Sequence, residues 1–385
     1  MNGFQSGFDF SVIFLIESSK IICYSLNIEK YSFLEGVMSF TEEKREIIKR
    51  YILNKIRVED REFITKAMEN FDISVTTVKR YLKSCVEDHI LEPSEKTVTG
   101  YRLVKSENSW DLKNDGTLEE DKLYVNLIVP YIRDLSKNVQ DIWYYTFTEI
   151  MNNAIEHSKS GQIRCKMKQD HLYTEISITD DGIGIFKNIR DYAKESLGIE
   201  MDTIQVMEEL YKGKFTTNRE AHSGEGIFFT SKMLTSFAIY SEDAIYSYRC
   251  DDKDQFVKSH LISYYTSLRR IGTMAVMKLE NHTTRTSVEV FETFAPMGDG
   301  FTKTLLPMKE LCAFGDPVAR SQARRLVRRL EEFEEVILDF QGIEFMGQGF
   351  ADELFRVFQN KNPKIKLTVI NGNRAVLGMI EHVKK

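Results

Sequence analysis

Three polar residues recur at four-residue intervals in the stretch FTEIMNNAIEHSKSG, residues 147–161. They are Glu149, Asn153 and His157, and apolar residues such as Ile150 stand between them. Residues four apart on an α-helix share one face, so the three side chains are predicted to form a polar row on a helix that packs in a core. Because buried polar atoms without partners are costly, this row is either solvated or meets a ligand.

Two glycine motifs follow in the same part of the chain. In DDGIGIF, Asp180 ends a predicted strand, and Gly182 and Gly184 allow a tight turn and the close approach of a ligand. In HSGEGIFFTSKM, Gly224 and Gly226 open a predicted helix whose free amides can hold phosphate. One Gly-x-Gly pair is a weak signal, but three motifs in this order and at these separations are a much stronger one.

Taken together, residues of about 120–280 resemble the GHKL family, the ATP-binding fold of gyrase, Hsp90, MutL, sensor histidine kinases and anti-sigma-factor kinases. EIMNNA is similar to the N-box through Glu149 and Asn153, and DDGIG is similar to the Asp-x-Gly-x-Gly box. SGEG resembles the second glycine box, and Thr273 in GT resembles the threonine that begins a late strand. FTTNREAHSGEGI looks like the lid and glycine box of anti-sigma serine kinases.

The resemblance implies Mg²⁺ and ATP as cofactors and a role for each matched side chain. Asn153 would offer its carbonyl oxygen to Mg²⁺, which prefers oxygen ligands alongside phosphates. Asp180 would accept the adenine amino proton, and Thr273 would place a hydroxyl near the adenine. Glu149 is the candidate general base, acting on water or on a substrate hydroxyl. For His157 two roles stay open: a mere hydrogen bond near the helix end, or a role on the phosphate side.

The glycines and the presumed lid complete the predicted site. Gly182 and Gly184 would make space for the nucleotide, and Gly224 and Gly226 would present amides to its phosphates. The lid is predicted at residues 187–222. Within it, Lys212, Lys214 and Arg219 either reach phosphates or, as the more common case, are solvated loop charges.

Residues 40–105 are predicted to be a winged-helix-like domain. Two helical segments around the turn NFDIS make a helix-turn-helix pattern, and EPSEKTVTGYRLV supplies two short strands for a wing. Lys79, Arg80 and Lys83 on the second helix are candidate DNA contacts. The segment holds 14 Lys and Arg against 12 Asp and Glu, so its net charge is only slightly positive, whereas a DNA-binding domain is expected to be clearly basic. A role in contacting another protein therefore stays open.

The rest of the chain divides around the nucleotide motifs. Residues 1–39 stay unassigned, and the polar stretch 106–121 is interpreted as a linker. Residues 120–293 are predicted to form the GHKL (Bergerat) α/β sandwich, with one mixed sheet under a helical layer. The predicted fold class is therefore α+β multidomain: winged helix, GHKL sandwich, then a small α/β domain.

That last domain, residues 310–385, resembles STAS-like domains of unknown function through VILDFQGIEFMGQGFADELFRVF. In anti-sigma antagonists of the STAS fold, the corresponding turn carries a phosphorylatable serine. Here the turn reads MGQG and has no hydroxyl, so the resemblance does not extend to a phosphoswitch. ARSQARRLVRRLEEFEE is predicted to be one helix, whose basic row is more often a solvated face than a nucleic-acid site. The row consists of Arg324, Arg325, Arg328 and Arg329.

The composition bounds the class of protein. The 385 residues carry a net charge of -6, which argues against a protein whose surface as a whole binds nucleic acid or an anionic membrane. Five scattered cysteines without a CxxC pair indicate reduced thiols. The apolar run FSVIFLI is too short to span a bilayer and has no basic leader, so we expect a cytoplasmic protein without a membrane partner.

These features predict an ATP-binding regulator. Mg-ATP binding or slow hydrolysis would control contacts of the flanking domains with DNA or with a protein partner of the STAS-like domain, and a homodimer is one arrangement the sequence allows. The alternative is a serine/threonine protein kinase of the anti-sigma type acting on a separate STAS partner. A third interpretation is a module that holds ATP without turnover. A sensor histidine kinase is disfavoured, because no phospho-accepting histidine helix precedes the motifs.

Overall fold

The computed structural model describes residues 42–214, 225–249, 271–297, 300–312 and 316–384 of the chain. The predictions for residues 1–39, for Gly224 and for Arg219 lie outside the described residues.

The N-terminal part, residues 42–103, consists of three helices and a β-hairpin. They are α1 (Glu42–Arg57), α2 (Phe63–Phe71), α3 (Val75–Glu87), β1 (Leu91–Pro93) and β2 (Tyr101–Leu103). Helix α3 begins where the Ser74 hydroxyl accepts a hydrogen bond from the Thr77 amide, as N-cap serines commonly do. Strands β1 and β2 pair antiparallel. The predicted helices and the two short strands are therefore present, and the winged-helix assignment stays a prediction.

A six-stranded sheet forms the centre of the chain. Its strands are β3 (Ser106–Lys113), β4 (Gln162–Gln169), β5 (Tyr173–Asp180), β6 (Ser236–Ser241), β7 (Ala244–Tyr248) and β8 (Thr273–Glu280). The spatial order is β3-β4-β5-β8-β6-β7. All neighbouring strands run antiparallel. The expectation of a mixed sheet is wrong at this point, whereas the predicted α+β class is confirmed.

Strand β3 corrects the interpretation of residues 106–121 as a linker. All eight of its residues pair with β4. Its outward side chains are polar, and Arg164 of β4 donates to Asp111 at 2.6 Å. Trp110 and Leu112 on this strand pack against the core. An edge strand with one solvated face has few apolar residues, which explains why its composition resembled that of a linker.

Helices cover the core face of this sheet. They are α4 (Glu120–Leu123), α5 (Val129–Ile132), α6 (Lys137–Asn152), α7 (Ile185–Leu197), α8 (Thr203–Lys212), α9 (Gly226–Met233) and α10 (Ser287–Phe294). A π-helical segment, Tyr124–Ile128, joins α4 to α5, and a second one, Asn153–His157, continues α6. Trp143 and Phe147 of α6 are fully buried against the sheet.

The C-terminal part is a small α/β unit on a parallel sheet. Its strands are β9 (Lys303–Pro307), β10 (Glu335–Asp339) and β11 (Lys366–Ile370), in the order β11-β10-β9. Both neighbouring pairs are parallel. The helices are α11 (Met308–Leu311), α12 (Arg320–Leu326), α13 (Gln348–Asp352), α14 (Gln359–Lys361) and α15 (Arg374–Lys384). The predicted small α/β domain is confirmed, although β9 precedes residue 310, where the domain was expected to begin.

The predicted helix over ARSQARRLVRRLEEFEE is shorter than expected. Helix α12 ends at Leu326, and Arg329 adopts a left-handed backbone with φ 61° before a 3-10 turn at Leu330–Glu332. The four arginines consequently do not form one helical row. This turn directs Arg329 towards the central domain.

One continuous core joins the central and C-terminal parts. Phe301 lies between them, with its ring centroid 4.7 Å from that of Phe228 and 5.4 Å from that of Phe333. The N-terminal helices have a separate core, which also takes in Leu172 from the β4–β5 turn and Tyr173 at the start of β5.

Candidate nucleotide site

A cavity of about 310 Å³ lies between the helical layer and the central sheet. The structure brings seven of the sequence-predicted residues to its wall. These are Glu149, Asn153, His157, Asp180, Gly184, Gly226 and Thr273. Gly182 lies just behind the wall, and Gly224 falls outside the described residues.

The polar row of the α6 segment reaches the cavity through the π-helical turn at Asn153–His157. At the end of this turn the Ser158 hydroxyl donates to the carbonyl of Ala154 at 2.5 Å. The side chain of Asn114 donates to the carbonyls of Ile155 and Ser160, which ties the turn to the end of β3. Such local wide turns are often found at functional sites. The turn keeps Glu149, Asn153 and His157 on one side of the cavity.

Asp180 ends β5, is buried and also lines the cavity. The amides of Gly182 and Thr273 donate to its Oδ1 atom at 2.9 and 3.2 Å. Burial raises the pKa of this carboxyl group to about 6, although the two amide hydrogen bonds work in the opposite direction. A carboxylate held in this way is a fixed acceptor at the cavity wall.

Two glycines are required where the chain turns after Asp180. A Cβ on Gly182 would overlap the backbone carbonyl of Ser158, and Gly184 has a φ of 87° that L side chains rarely adopt. A Cβ on Gly184 would also come within 2.7 Å of the Ser241 hydroxyl oxygen. The Ile185 amide donates to the hydroxyl oxygen of Thr273 at 3.0 Å. The turn is thus fastened to the start of β8.

Helix α9 begins at the cavity with Gly226. A Cβ at this position would overlap the carboxylate of Glu149. The helix N-terminus, with its free amides and positive end of the dipole, therefore lies directly beside Glu149. Any anion bound at this end of the cavity would meet both the amides of α9 and the carboxylate.

Several cavity residues were missed by sequence reasoning. They are Tyr145, Asn188, Leu210, Glu225, Phe229 and Phe291. Burial raises the pKa of the Tyr145 hydroxyl, and the charges of Glu149 and Glu225 add to this shift. Glu225 could have been predicted from the sequence, since it stands between the two glycines of SGEG. The aromatic and aliphatic residues of the wall carry no such sequence signal, because residues of these types are equally common in any core.

Lys212 and Lys214 of the presumed lid do not reach the cavity, and neither is a solvated loop charge. Lys212 is only 2% exposed, and its Nζ atom donates to Glu209 at 2.8 Å and to the carbonyl of Arg328 at 2.6 Å. Lys214 donates to the carbonyl of Glu332 at 2.6 Å and lies over the ring of Phe333. Both predictions for these lysines are wrong, because the C-terminal domain covers the end of α8.

The basic row of the C-terminal domain is likewise not a single solvated face. Arg325 lies 3.6 Å from Glu208, and Arg329 lies 2.8 Å from Glu209, both on α8 of the central domain. Arg324 instead pairs with Glu353 within its own domain, at 3.4 Å.

The candidate DNA contacts lie on the N-terminal domain. Lys79, Arg80 and Lys83 are all exposed on α3, and Lys83 lies 3.6 Å from Glu87. The structure therefore leaves these three side chains on one accessible helix.

Two family models match the chain. Residues 138–237 match the model described as histidine kinase-, DNA gyrase B-, and HSP90-like ATPase. Over these residues the central domain is similar to GHKL-type ATPases, and it is named the GHKL domain for that similarity. Residues 322–377 match a STAS-like domain of unknown function. None of the curated proteins matches the chain.

The GHKL match implies ATP binding, which in this family typically depends on Mg²⁺. The cavity of the GHKL domain suits such a ligand, because a buried carboxylate, an amide side chain and a helix N-terminus all line it. No group of three or more His, Cys, Asp or Glu that could hold a metal occurs among the described residues. A Mg²⁺ ion here would rely on Asn153 and on the phosphates themselves, as Mg²⁺ commonly does. Within the described part of the chain, no helix is both long enough and apolar enough to cross a membrane.

Proposed function

We propose that this protein is a regulator whose GHKL domain binds Mg-ATP in the cavity between α6 and the sheet. Its state of occupancy would control how the N-terminal and STAS-like domains contact DNA or a protein partner. The observation that carries the proposal is the buried Asp180 carboxylate, which two amides hold at the cavity wall. Its position suits recognition of the adenine amino group.

In this proposal the remaining residues divide between binding and chemistry. Thr273 supports the adenine end, and Gly182 and Gly184 keep that end open. Asn153 binds Mg²⁺, which neutralises phosphate charge when bound, and the amides at Gly226 and Gly224 hold phosphate oxygens. Glu149 accepts a proton from the attacking water, which makes slow hydrolysis the expected chemistry.

In this proposal the flanking domains make the contacts that ATP binding controls. Lys79, Arg80 and Lys83 lie on the exposed face of α3, which suits contacts with DNA phosphates and groove edges. The STAS-like domain is the candidate contact for a protein partner.

Nucleotide titration of the full chain tests the pocket. Wild type should bind Mg-ATP, and Asp180→Ala should bind about 5- to 150-fold more weakly, since the loss leaves a buried donor unpaired at a cost of about 1–3 kcal/mol. Asp111→Ala is the matched control, because Asp111 is exposed on the edge strand β3, away from the predicted lid, and pairs with Arg164. Equal affinity in wild type and Asp180→Ala would exclude the assigned pocket.

Incubation with ATP labelled at the γ-phosphate separates the chemical alternatives. Release of labelled phosphate supports an ATPase switch. Label transferred to a serine or threonine of a protein in cell extract would instead support the kinase alternative. Binding without either product would identify a nucleotide sensor.

A further inference from the structure

Helix α8 of the GHKL domain lies between the cavity and the C-terminal domain. Leu210 of this helix lines the cavity. Glu208, Glu209 and Lys212 on its other side are buried, with exposures of 5%, 6% and 2%. Charged residues are rarely buried to this degree unless they are paired. The partners that make this burial tolerable belong largely to the C-terminal domain.

Among the described residues, Arg329 makes the shorter of the two ion pairs across this contact, 2.8 Å to Glu209 against 3.6 Å between Arg325 and Glu208. Arg329 Nη1 donates to Glu209 Oε2, while Lys212, on the same helix as Glu209, donates to Glu209 Oε1 at 2.8 Å. Lys212 also donates to the Arg328 carbonyl. Without Arg329, Glu209 would keep Lys212, but its buried Oε2 atom would lose its charged donor, which is costly. Arg329 therefore ties α8 to the C-terminal domain through Glu209.

Aromatic packing gives a second, independent link between the two domains. The ring of Phe229, which lines the cavity, lies 5.3 Å from Phe301 and 4.7 Å from Phe291. Phe291 in turn lies 5.2 Å from Tyr145, another cavity residue. Phe301 contacts Phe333 of the C-terminal domain. Densely packed side chains transmit a shift rather than absorb it.

We infer that the STAS-like domain positions the wall of the nucleotide cavity, with Arg329 as a positioning residue that holds α8 through Glu209. ATP affinity then depends on how the STAS-like domain packs against α8. A protein that binds the STAS-like domain and displaces it changes ATP affinity without touching the cavity. By thermodynamic linkage, ATP equally changes how firmly the domain is seated. The inference rests on the proposed function, since it concerns the same cavity.

Calorimetric titration of the full chain with Mg-ATP tests the inference. Arg329→Gln should weaken the affinity about fivefold or more, and Arg329→Lys, which keeps a cation, should recover part of the loss. Arg324→Gln is the matched control, because Arg324 pairs inside its own domain, and it should bind as wild type does. A variant that merely folds less well would show a lower binding stoichiometry at an unchanged dissociation constant.

Two outcomes decide the matter. A wild-type dissociation constant in Arg329→Gln, at any stoichiometry, would overturn the inference while leaving the proposed function intact. Absence of ATP binding in wild type would remove the proposed function and this inference with it. Hydrogen exchange offers a check without variants: ATP should increase protection of residues 320–333 in the wild-type chain, and unchanged protection there contradicts the coupling.

Discussion

At the scale of single residues, Asp180 combines a fixed geometry with an unusual titration. Both amide hydrogen bonds reach the same oxygen, Oδ1, which an asparagine oxygen can also provide. Asp180→Asn thus keeps the local contacts and removes only the ionisation. The variant therefore tests the effect of the Asp180 charge while the hydrogen-bond geometry is kept.

We predict that Asp180→Asn changes the pH dependence of stability. Burial raises the folded-state pKa of Asp180 to about 6 from an ordinary 3.8. Between these values the folded chain holds a proton that the unfolded chain has released, so this group makes the free energy of unfolding fall as pH rises. Relative to wild type, Asp180→Asn should gain stability from pH 4 to pH 7 by about 2 kcal/mol. Chemical denaturation at pH 4 and pH 7 measures the free energy of unfolding of both proteins. A difference between variant and wild type that is the same at the two pH values would contradict the raised pKa.

Glu149 carries the prediction about turnover. Glu149→Gln keeps the shape beside Gly226 but removes the proton acceptor. ATP affinity should change little, because Asp180, Asn153 and the glycine amides hold the nucleotide. Phosphate release should fall by about 10²–10⁴-fold, the usual contribution of a positioned general base. Hydrolysis at the wild-type rate would show that another group accepts the proton.

At the scale of elements, α9 connects the cavity to the C-terminal sheet. It begins with Gly226 at Glu149, and Lys232 near its other end is buried with Nζ donating to the carbonyl of Leu305 at 3.3 Å. Burial lowers the pKa of Lys232 well below its usual value. A helix anchored at both ends in this way tolerates little displacement.

Alanine at Gly226 should displace the Glu149 carboxylate, because its methyl group would overlap that group. The carboxylate is the far end of a flexible side chain and can move, so phosphate release should fall by about tenfold or more while the fold is kept. The matched control is Gly378→Ala on helix α15, where a Cβ meets nothing within 4 Å. That change should leave phosphate release unchanged and stabilise by about 0.5–1 kcal/mol, because alanine loses less backbone freedom in a helix. Phosphate release at the wild-type rate in Gly226→Ala would contradict the proposed contact.

Helix α3 gives a prediction about DNA. Replacing Lys79, Arg80 and Lys83 by alanine should weaken retention on genomic DNA fragments. It should also flatten the salt dependence by about one unit of slope for each DNA phosphate that the variant no longer binds. A control variant removes the same charge from the central domain by replacing Lys113, Lys122 and Lys137, all of which are exposed. Equal losses in the two variants would point to non-specific attraction, and no retention of wild type in moderate salt would point to a protein contact.

At the scale of the whole molecule, the GHKL and STAS-like domains share one core, whereas the N-terminal helices have their own. We predict that the two joined domains unfold in one transition. ATP at about 100 times its dissociation constant should add about 2.7 kcal/mol to that transition. Hydrogen exchange during thermal unfolding can follow each part separately. A C-terminal domain that melts independently and without response to ATP would contradict the shared core.

Much of the candidate site was predictable from the sequence because its signals are local. Helical spacing put Glu149 and Asn153 on one face, and the glycines marked where the chain turns after Asp180. Those residues line or support one cavity in the structure. The α+β class and the small C-terminal α/β domain followed from the same local patterns of strands and helices.

Other features depended on partners far away in the chain. Strand β3 looks like a linker until β4 pairs with it, and Lys212 looks like a lid charge until the Arg328 carbonyl, 116 residues onward, accepts its hydrogen bond. Phe229, Phe291 and Leu210 carry no local mark of a binding wall. The sequence by itself determined which backbone turns and polar groups could form a nucleotide site. The tertiary structure decided what surrounds them, because burial and charge pairing arise only when distant segments pack together.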